Sequence, residues 1–240
     1  AIPAQSPQAF DEHGAPPEGA AIKLNNARNF FDDKAVPSED WAAIAALLKP
    51  YSKVIVECHP RFVGESCGRF AQLLRGHLEV AMGLETVHPV ALPRLNKKMT
   101  LETWNLAASR LRSLGVGLRS FVLVGAPYIS RAETVEWAVR SVDHALQCGS
   151  TVVSLIPTRS GNGEMQRLAE LGVFSPPTVR QLEEALDGAL NLDQGIVLVD
   201  LWDADGMAGC PECRAARIER MTRLNLEGGT LPPISCPVCD

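Results

Sequence analysis

The chain has 240 residues, 46% of them hydrophobic and 21% charged, a balance that supports a sizeable buried core. Its formal net charge of −5 excludes a global basic field for nucleic acid and leaves only a local basic rim open. No apolar run approaches the ~20 residues of a membrane helix, and Ala1–Ala21 lacks the basic start and apolar segment of a secretory signal.

Four of the seven cysteines form two Cys-x-x-Cys pairs, while Cys58, Cys67 and Cys148 are scattered. That usage suits a reducing cytoplasm and a bound metal better than a disulfide framework. The three scattered thiols read as small buried apolar residues. The start without Met suggests a fragment or a processed product.

Residues 1–20 read as a linker or disordered lead-in, broken by Pro3, Pro7, Pro16 and Pro17. A short strand, Ala21–Leu24, is followed by the polar loop Asn25-Asn26-Ala27-Arg28-Asn29. Ser38 is a candidate helix cap, and Trp41, Ile44, Ala45 and Leu48 then recur at helical spacing. Lys53–Glu57 is a strand, and Phe70, Leu73 and Leu74 lie on the helix after it. Leu78–Thr86 is an apolar strand that meets Gly83 and then the carboxylate of Glu85.

Leu101–Leu114 is a helix between a Thr100 cap and a Gly115 stop. Leu118–Val124 is a strand, and Arg131–Gln147 is an amphipathic helix. Thr151–Ile156 is a strand, Met165–Leu171 and Val179–Leu190 are helices, and Ile196–Leu201 is the last strand. Strands that alternate with helices imply βαβ units and a parallel sheet. The fold class is therefore α/β, a partial barrel over residues 21–202, with a small four-cysteine extension over 203–240. No Gly-x-Gly-x-x-Gly follows a strand, which argues against a dinucleotide-binding fold.

A parallel barrel gathers its strand ends at one mouth. The polar residues at those ends are Asn25, Asn26, Glu57, His59, Arg61, Glu85, Thr86, Asn96, Lys97, Ser154, Thr158 and Arg159. Carboxylates there suit an amine or ribose hydroxyls, and cations suit a carboxylate. Each also has a plain structural reading: an ion-pair partner for Glu57 or Glu85, a solvated charge for Lys97, a turn for His59 before Pro60. Glu57 and Glu85 as an acid/base pair of an unrelated barrel enzyme is a further reading.

Cys210-Pro-Glu-Cys213 and Cys236-Pro-Val-Cys239 are twenty-two residues apart. Two stiff turns with paired thiolates can close a tetrahedral site around one ion. Structural zinc is the first reading; an iron–sulfur cluster and unmetallated or redox cysteines remain alternatives. Residues 203–240 are too short and polar to bury a core alone, which gives a metal a structural purpose. Arg214, Arg217, Arg220 and Arg223 lie between the pairs at three-residue steps. They read either as a basic helix that touches RNA or as a solvated face.

The ordered series Ile22-Lys23-Leu24-Asn25, Phe30-Phe31-Asp32, Ala35-Val36-Pro37, Val56-Glu57, Val80-Ala81-Met82-Gly83-Leu84-Glu85-Thr86, Leu95-Asn96-Lys97-Lys98-Met99-Thr100 and Ser154-Leu155-Ile156-Pro157-Thr158 resembles the radical S-adenosylmethionine (SAM) superfamily. It is most similar to the Elp3/MiaB/NifB-like branch that includes the radical-SAM subunit of archaeosine synthase. The resemblance runs over residues 21–192. It implies a partial (βα)6 barrel with SAM and a [4Fe–4S] cluster at its mouth, and a 5′-deoxyadenosyl radical that abstracts a substrate hydrogen. It also implies that the Asn25/Asn26 loop approaches the methionine amine and that Glu57 and Glu85 line the mouth. Val122–Val124 and Ile156-Pro157 would flank the adenine, with Ser154 on the same strand.

The departures are specific. The cluster loop Cys-x3-Cys-x2-Cys occurs nowhere in the sequence. Cys58 stands where the resemblance leads one to expect Ser, and Gly125-Ala126-Pro127 replaces a Pro-Pro pair. The resemblance therefore implies a barrel without its first strand, a fragment of a radical SAM enzyme that does not cleave SAM by itself. RNA or a modified nucleoside is the implied substrate class. The alternative is a non-catalytic zinc-knuckle binding protein on a barrel scaffold.

Overall fold

A computed structural model of the chain describes residues 16–24, 29–161 and 163–239. Six strands lie in one sheet: β1 (Ala21–Leu24), β2 (Lys53–Glu57), β3 (His77–Glu85), β4 (Gly117–Val124), β5 (Val152–Pro157) and β6 (Ile196–Val199). Their spatial order is their chain order. Val54 pairs in parallel with Ile22 on one side and with Leu78 on the other, and Val153 pairs in parallel with Val197. The helices between them are α1 (Trp41–Leu47), α2 (Glu65–Leu73), α3 (Ala91–Arg94), α4 (Leu101–Ser113), α5 (Thr134–Gln147), α6 (Glu164–Glu170) and α7 (Val179–Leu190); α8 (Arg214–Glu227) follows β6. This is the α/β class and strand order of a partial (βα)6 barrel.

The chain divides into two compact units. The first holds the described residues up to Gly83, with 102–119 and 148–150. Val54, Val56, Val80 and Met82 are fully buried there, as near-continuous apolar runs of a parallel sheet should be. Phe30 and Phe70 meet at 4.7 Å between ring centroids, and Phe31 meets Trp41 edge-on at 5.8 Å. Glu79 is buried on β3 and compensated twice, by Arg119 at 2.6 Å and Lys53 at 3.3 Å.

The second unit holds residues 84–101, 120–147 and 151–239. Thr178 caps α7 reciprocally. Gln181 N donates to Thr178 Oγ1 at 3.2 Å, and Thr178 N donates to Gln181 Oε1 at 3.1 Å. Asn225 of α8 takes up the backbone of β6: its Oδ1 accepts from Val199 N at 2.9 Å and its Nδ2 donates to Val199 O at 2.7 Å. A side-chain amide thus stands in where another strand would bond.

Three local expectations are corrected. Ser38 caps no helix; it starts a 3-10 turn, Ser38–Asp40, that uses its own backbone bonds before α1 begins. The helix expected from Arg131 begins at Thr134, because residues 131–133 form a turn in which Ser130 Oγ donates to Glu133 at 2.5 Å. Leu74, expected on the helix with Phe70 and Leu73, follows its last residue in extended backbone.

Candidate functional site

In the first unit, Glu57 ends β2 and pairs with Lys23 of β1 at 2.7 Å, both side chains partly exposed. Asn25 and Asn26 lie outside the described residues. The Glu57 carbonyl accepts from Phe30 N at 2.9 Å, and Asn29 Oδ1 accepts from His59 N at 2.6 Å. These bonds tie the chain after β1 to the end of β2. His59 Nδ1 accepts from Arg61 N at 3.2 Å, which is the turn-holding role. Cys58 is buried, and burial pushes its thiol above the ordinary range, which opposes a nucleophilic role.

In the second unit, Glu85 ends β3 with φ +66°, a left-handed backbone that non-glycine residues rarely adopt. Its side chain is 12% exposed and receives Lys97 Nζ at 2.9 Å. Asn96 and Lys98, on either side of Lys97, have φ +53° and +51°. Three left-handed residues therefore aim one carboxylate and one ammonium at each other. Thr86 is buried beside Ser141 of α5, whose Oγ accepts from Val87 N at 3.0 Å and donates to Trp137 O at 2.6 Å.

On β5, Ser154 is buried inside the strand and pairs with Leu198, while Pro157 is its last residue. Three residues apart, they fall on opposite faces of a strand whose side chains alternate. Just beyond, Thr158 N donates to Val124 O at 3.0 Å. Arg159 pairs with Asp200 at 3.1 Å, donates to the Trp202 carbonyl, and lies 5.3 Å from the Trp202 ring centroid.

The four cysteines of the extension converge. The sulfurs of Cys210, Cys213, Cys236 and Cys239 all lie within 4.8 Å of one another, with Cys210 to Cys236 at 3.9 Å and Cys213 to Cys239 at 3.6 Å. Four thiolates about 2.3 Å from one tetrahedral ion stand about 3.8 Å apart. The set fits a single ion; a multi-iron cluster would need its ligands farther apart. Backbone N–H groups, that of Val238 first, draw the Cys236 thiol down to about 7. Desolvation and the neighbouring sulfurs raise Cys239 to about 12.

Behind the cysteines stands a buried ion-pair network that sequence reading missed. Arg217 of α8 donates to Cys213 Sγ at 3.1 Å and to Glu183 of α7. Arg220 reaches Glu183 at 3.0 Å and Asp187 at 2.7 Å, and its Nη2 donates to the Leu231 carbonyl at 2.6 Å. Glu183 is 1% exposed. The signal was present: Glu183 shares the apolar stripe of Val179, Leu182 and Leu186, where a carboxylate demands a cation. The four arginines are thus corrected as a single basic or solvated face. Arg217 and Arg220 are buried, and Arg223 pairs with Glu227 at 3.2 Å.

No protein-family model matches the chain. Over 174 residues it is 26% identical to archaeosine synthase subunit beta of Methanosarcina acetivorans, a match that covers 69% of this chain and 49% of that protein. Its fold matches archaeal Elp3 of Methanocaldococcus infernus with TM-score 0.64 at 14% identity, covering 92% of this chain and 58% of that one. The coproporphyrinogen III oxidase of Escherichia coli, described as a radical SAM enzyme, aligns with TM-score 0.47 at 12% identity over 79% of this chain and 46% of that one. The chain thus spans about half the length of the curated relative it matches.

Proposed function

We propose that this chain, a relative of the radical SAM proteins in sequence and fold, is the SAM-binding part of a nucleoside- or RNA-modifying enzyme with a structural zinc knuckle. The observation that carries the reading is the ordered match of 174 residues to archaeosine synthase subunit beta. Glu85 is the residue to which we give most weight. A strained, nearly buried carboxylate at a strand end is costly to keep and suits the amine or ribose of a ligand. Ser154 and Pro157, in the same unit as Glu85, are assigned to SAM by the resemblance; in the first unit the resemblance assigns it Glu57, and outside the described residues Asn25 and Asn26.

A [4Fe–4S] cluster supplies the electron for SAM cleavage in such enzymes. The residues of this chain do not fit one. The sequence has no Cys-x3-Cys-x2-Cys, and the one gathered cysteine set among the described residues is spaced for a single ion. No step through a cluster is assigned to the 240-residue chain, which by itself does not cleave SAM in this reading. Zinc is proposed at the four cysteines, where it ties the extension to α7 through Arg217 and Glu183. Two Cys-x-x-Cys pairs on one candidate metal site suit the cytoplasm, and no helix among the described residues is long and apolar enough to cross a membrane.

The test is calorimetric binding of SAM to the purified chain, before and after reconstitution with iron and sulfide. SAM binding that Glu85→Ala weakens, without a [4Fe–4S] spectrum or 5′-deoxyadenosine, is the expected result. A cluster spectrum with 5′-deoxyadenosine would overturn the inactivity. The second reading, a non-catalytic zinc-knuckle binding protein, is favoured by the four-sulfur geometry alone; metal retained with no SAM binding would select it.

A further inference from the structure

Three concavities adjoin in the second unit. The first, about 430 Å³, is lined by Arg94, Tyr128, Arg131 and Phe174. The second, also about 430 Å³, is lined by Arg131, Arg180, Arg214 and Arg217 beside the cysteines. The third, about 440 Å³, is lined by Thr158, Arg159, Pro177, Asp203 and Trp202. Arg131 belongs to the first and second, and Ala208 to the second and third, so the three form one run.

The charge along this run departs from that of the chain, which is −5 in all. Among the described residues no Asp or Glu lines the first two concavities, and Asp203 is the one carboxylate lining the third. Arg131 and Arg214 are exposed and make no ion pair among the described residues, whereas Arg180 shares its charge with Glu184 at 2.7 Å. A divalent ion held by four thiolates would leave two negative charges beside the second concavity. Arg217, bonded to Cys213 Sγ at 3.1 Å, faces those charges. Arg131 and Arg214 remain for an outside anion, with Arg180 beside them on the same lining.

The ends of the run carry aromatic rings with a guanidinium laid against each. Arg94 lies 5.2 Å from the Tyr128 centroid, and Arg159 lies 5.3 Å from that of Trp202. Trp202 is 74% exposed, so most of its surface is open to a stacked partner. Near it, Thr158 Oγ1 and Arg159 Nε are buried polar atoms with no hydrogen-bond partner. Both can offer a proton to the edge of a planar heterocycle. A small anion would need one concavity and no aromatic rings. Cations interleaved with aromatics along a groove are what a chain of phosphates and bases requires.

We propose that this run is a docking track for single-stranded nucleic acid. Backbone phosphates cross Arg131, Arg180 and Arg214, and a base stacks on Trp202. The track's third concavity borders Pro157, which the resemblance assigns to SAM, whereas Trp202, Arg131, Arg180 and Arg214 are not among the residues assigned to SAM. It rests on the proposed RNA-modifying role only for the choice of RNA as the probe.

The test is fluorescence anisotropy of a labelled single-stranded RNA of about ten nucleotides on the full metal-loaded chain, titrated at several salt concentrations. Trp202→Ala should weaken binding about 5- to 150-fold, the loss of one stacked base, and Trp202→Phe should recover most of it. Arg131→Ala/Arg214→Ala should weaken binding and flatten the slope of log affinity against log salt by about 1.4, two phosphate contacts at about 0.7 each. All three substitutions are at exposed positions, and unchanged metal content and melting confirm that the fold is kept. Wild-type protein that binds no RNA at low salt, variants that bind like wild type, or a duplex of the same sequence that binds as tightly would each overturn the proposal. SAM binding is measured on the same preparations. RNA failure with SAM binding intact defeats the track alone, and SAM failure with RNA binding intact defeats only the enzyme reading.

Discussion

Glu183 of α7 accepts a hydrogen bond from Arg217 of α8 at a position where both side chains are almost fully buried. The carboxylate is shared with Arg220, so one negative charge holds two guanidinium groups that in turn reach a cysteine sulfur and the chain at Leu231. Removal of the carboxylate takes a buried partner from Arg217 and leaves Arg220 with the partly exposed Asp187. Glu183→Ala should therefore destabilise the protein by about 3–5 kcal/mol, and Glu183→Gln, which keeps the shape and one acceptor, by less. Urea denaturation of the metal-loaded protein measures both. A loss under about 1 kcal/mol for the alanine variant would show that the pair is not buried in solution.

The metal prediction concerns residues 229–238, which have no regular secondary structure before Cys239. Four sulfurs close enough to share one ion, and the bonds from Arg220 to the Leu231 and Pro232 carbonyls, connect this tail to the rest. Chelation should open it to proteases and lower the melting temperature, since metal-binding energy of a site absent from the unfolded chain is folding energy. Elemental analysis should find about one zinc per chain, and cobalt exchange should give the intense visible bands of a tetrahedral thiolate site. Cys236→Ser should lose the metal. An apo protein with the same protease pattern as the holo protein would remove the structural role.

Much of this was legible in the sequence, for identifiable reasons. The alternation of apolar runs and amphipathic segments matched all six strands within a few residues; β2, β3 and β5 read as nearly unbroken apolar stretches because both their faces are buried, while β1, β4 and β6 alternate. The Cys-x-x-Cys spacing marked out the gathered cysteine set, because two tight turns are enough to bring four sulfurs together. The arginines were misread for a geometric reason. Each three-residue step advances a side chain about 300° around a helix, which leaves Arg214 and Arg223 about half a turn apart. They cannot share one face, and the middle two turn inward to meet Glu183. The left-handed backbone at Glu85 was invisible as well, since local pattern carries no φ angle and Glu does not advertise one as Gly does.

Gly125, just after β4, has φ +74°, and a Cβ built on it would lie 2.8 Å from Pro177 Cδ. Both the backbone and the neighbour oppose a side chain. Gly125→Ala should cost about 1–3 kcal/mol, read as a lower urea midpoint with an unchanged slope. A neutral substitution would mean that the segment around Pro177 moves away freely.

Acid sensitivity should have a contribution from His144 on α5, whose basicity burial lowers against the opposing pull of Asp143. The folded protein then binds that proton less readily than the unfolded chain, whose histidine titrates near the ordinary value of about 6.5. The stabilising contribution is present above that pH and is lost as the pH falls through the lowered folded value. His144→Gln removes the titration, so the drop in urea midpoint from pH 7.5 to 5.5 should be smaller in the variant than in wild type. An equal drop would assign the acid sensitivity to other groups.

The backbone at Glu85 separates a ligand role from a structural one. Glu85→Gly and Glu85→Ala both delete the carboxylate that meets Lys97 at 2.9 Å, but only glycine accepts φ +66° without strain. The glycine variant should therefore be more stable than the alanine variant by about 1 kcal/mol, while both lose SAM binding alike. Denaturation midpoints and calorimetric SAM titrations on the two proteins make the comparison. If the carboxylate served only the fold, stability would follow its loss and SAM binding would not. If it serves the ligand, Glu85→Gly gives a protein at least as stable as Glu85→Ala and equally unable to bind. Equal midpoints for the two variants would show that the left-handed turn relaxes once the carboxylate is gone, and the strain argument would fail with it.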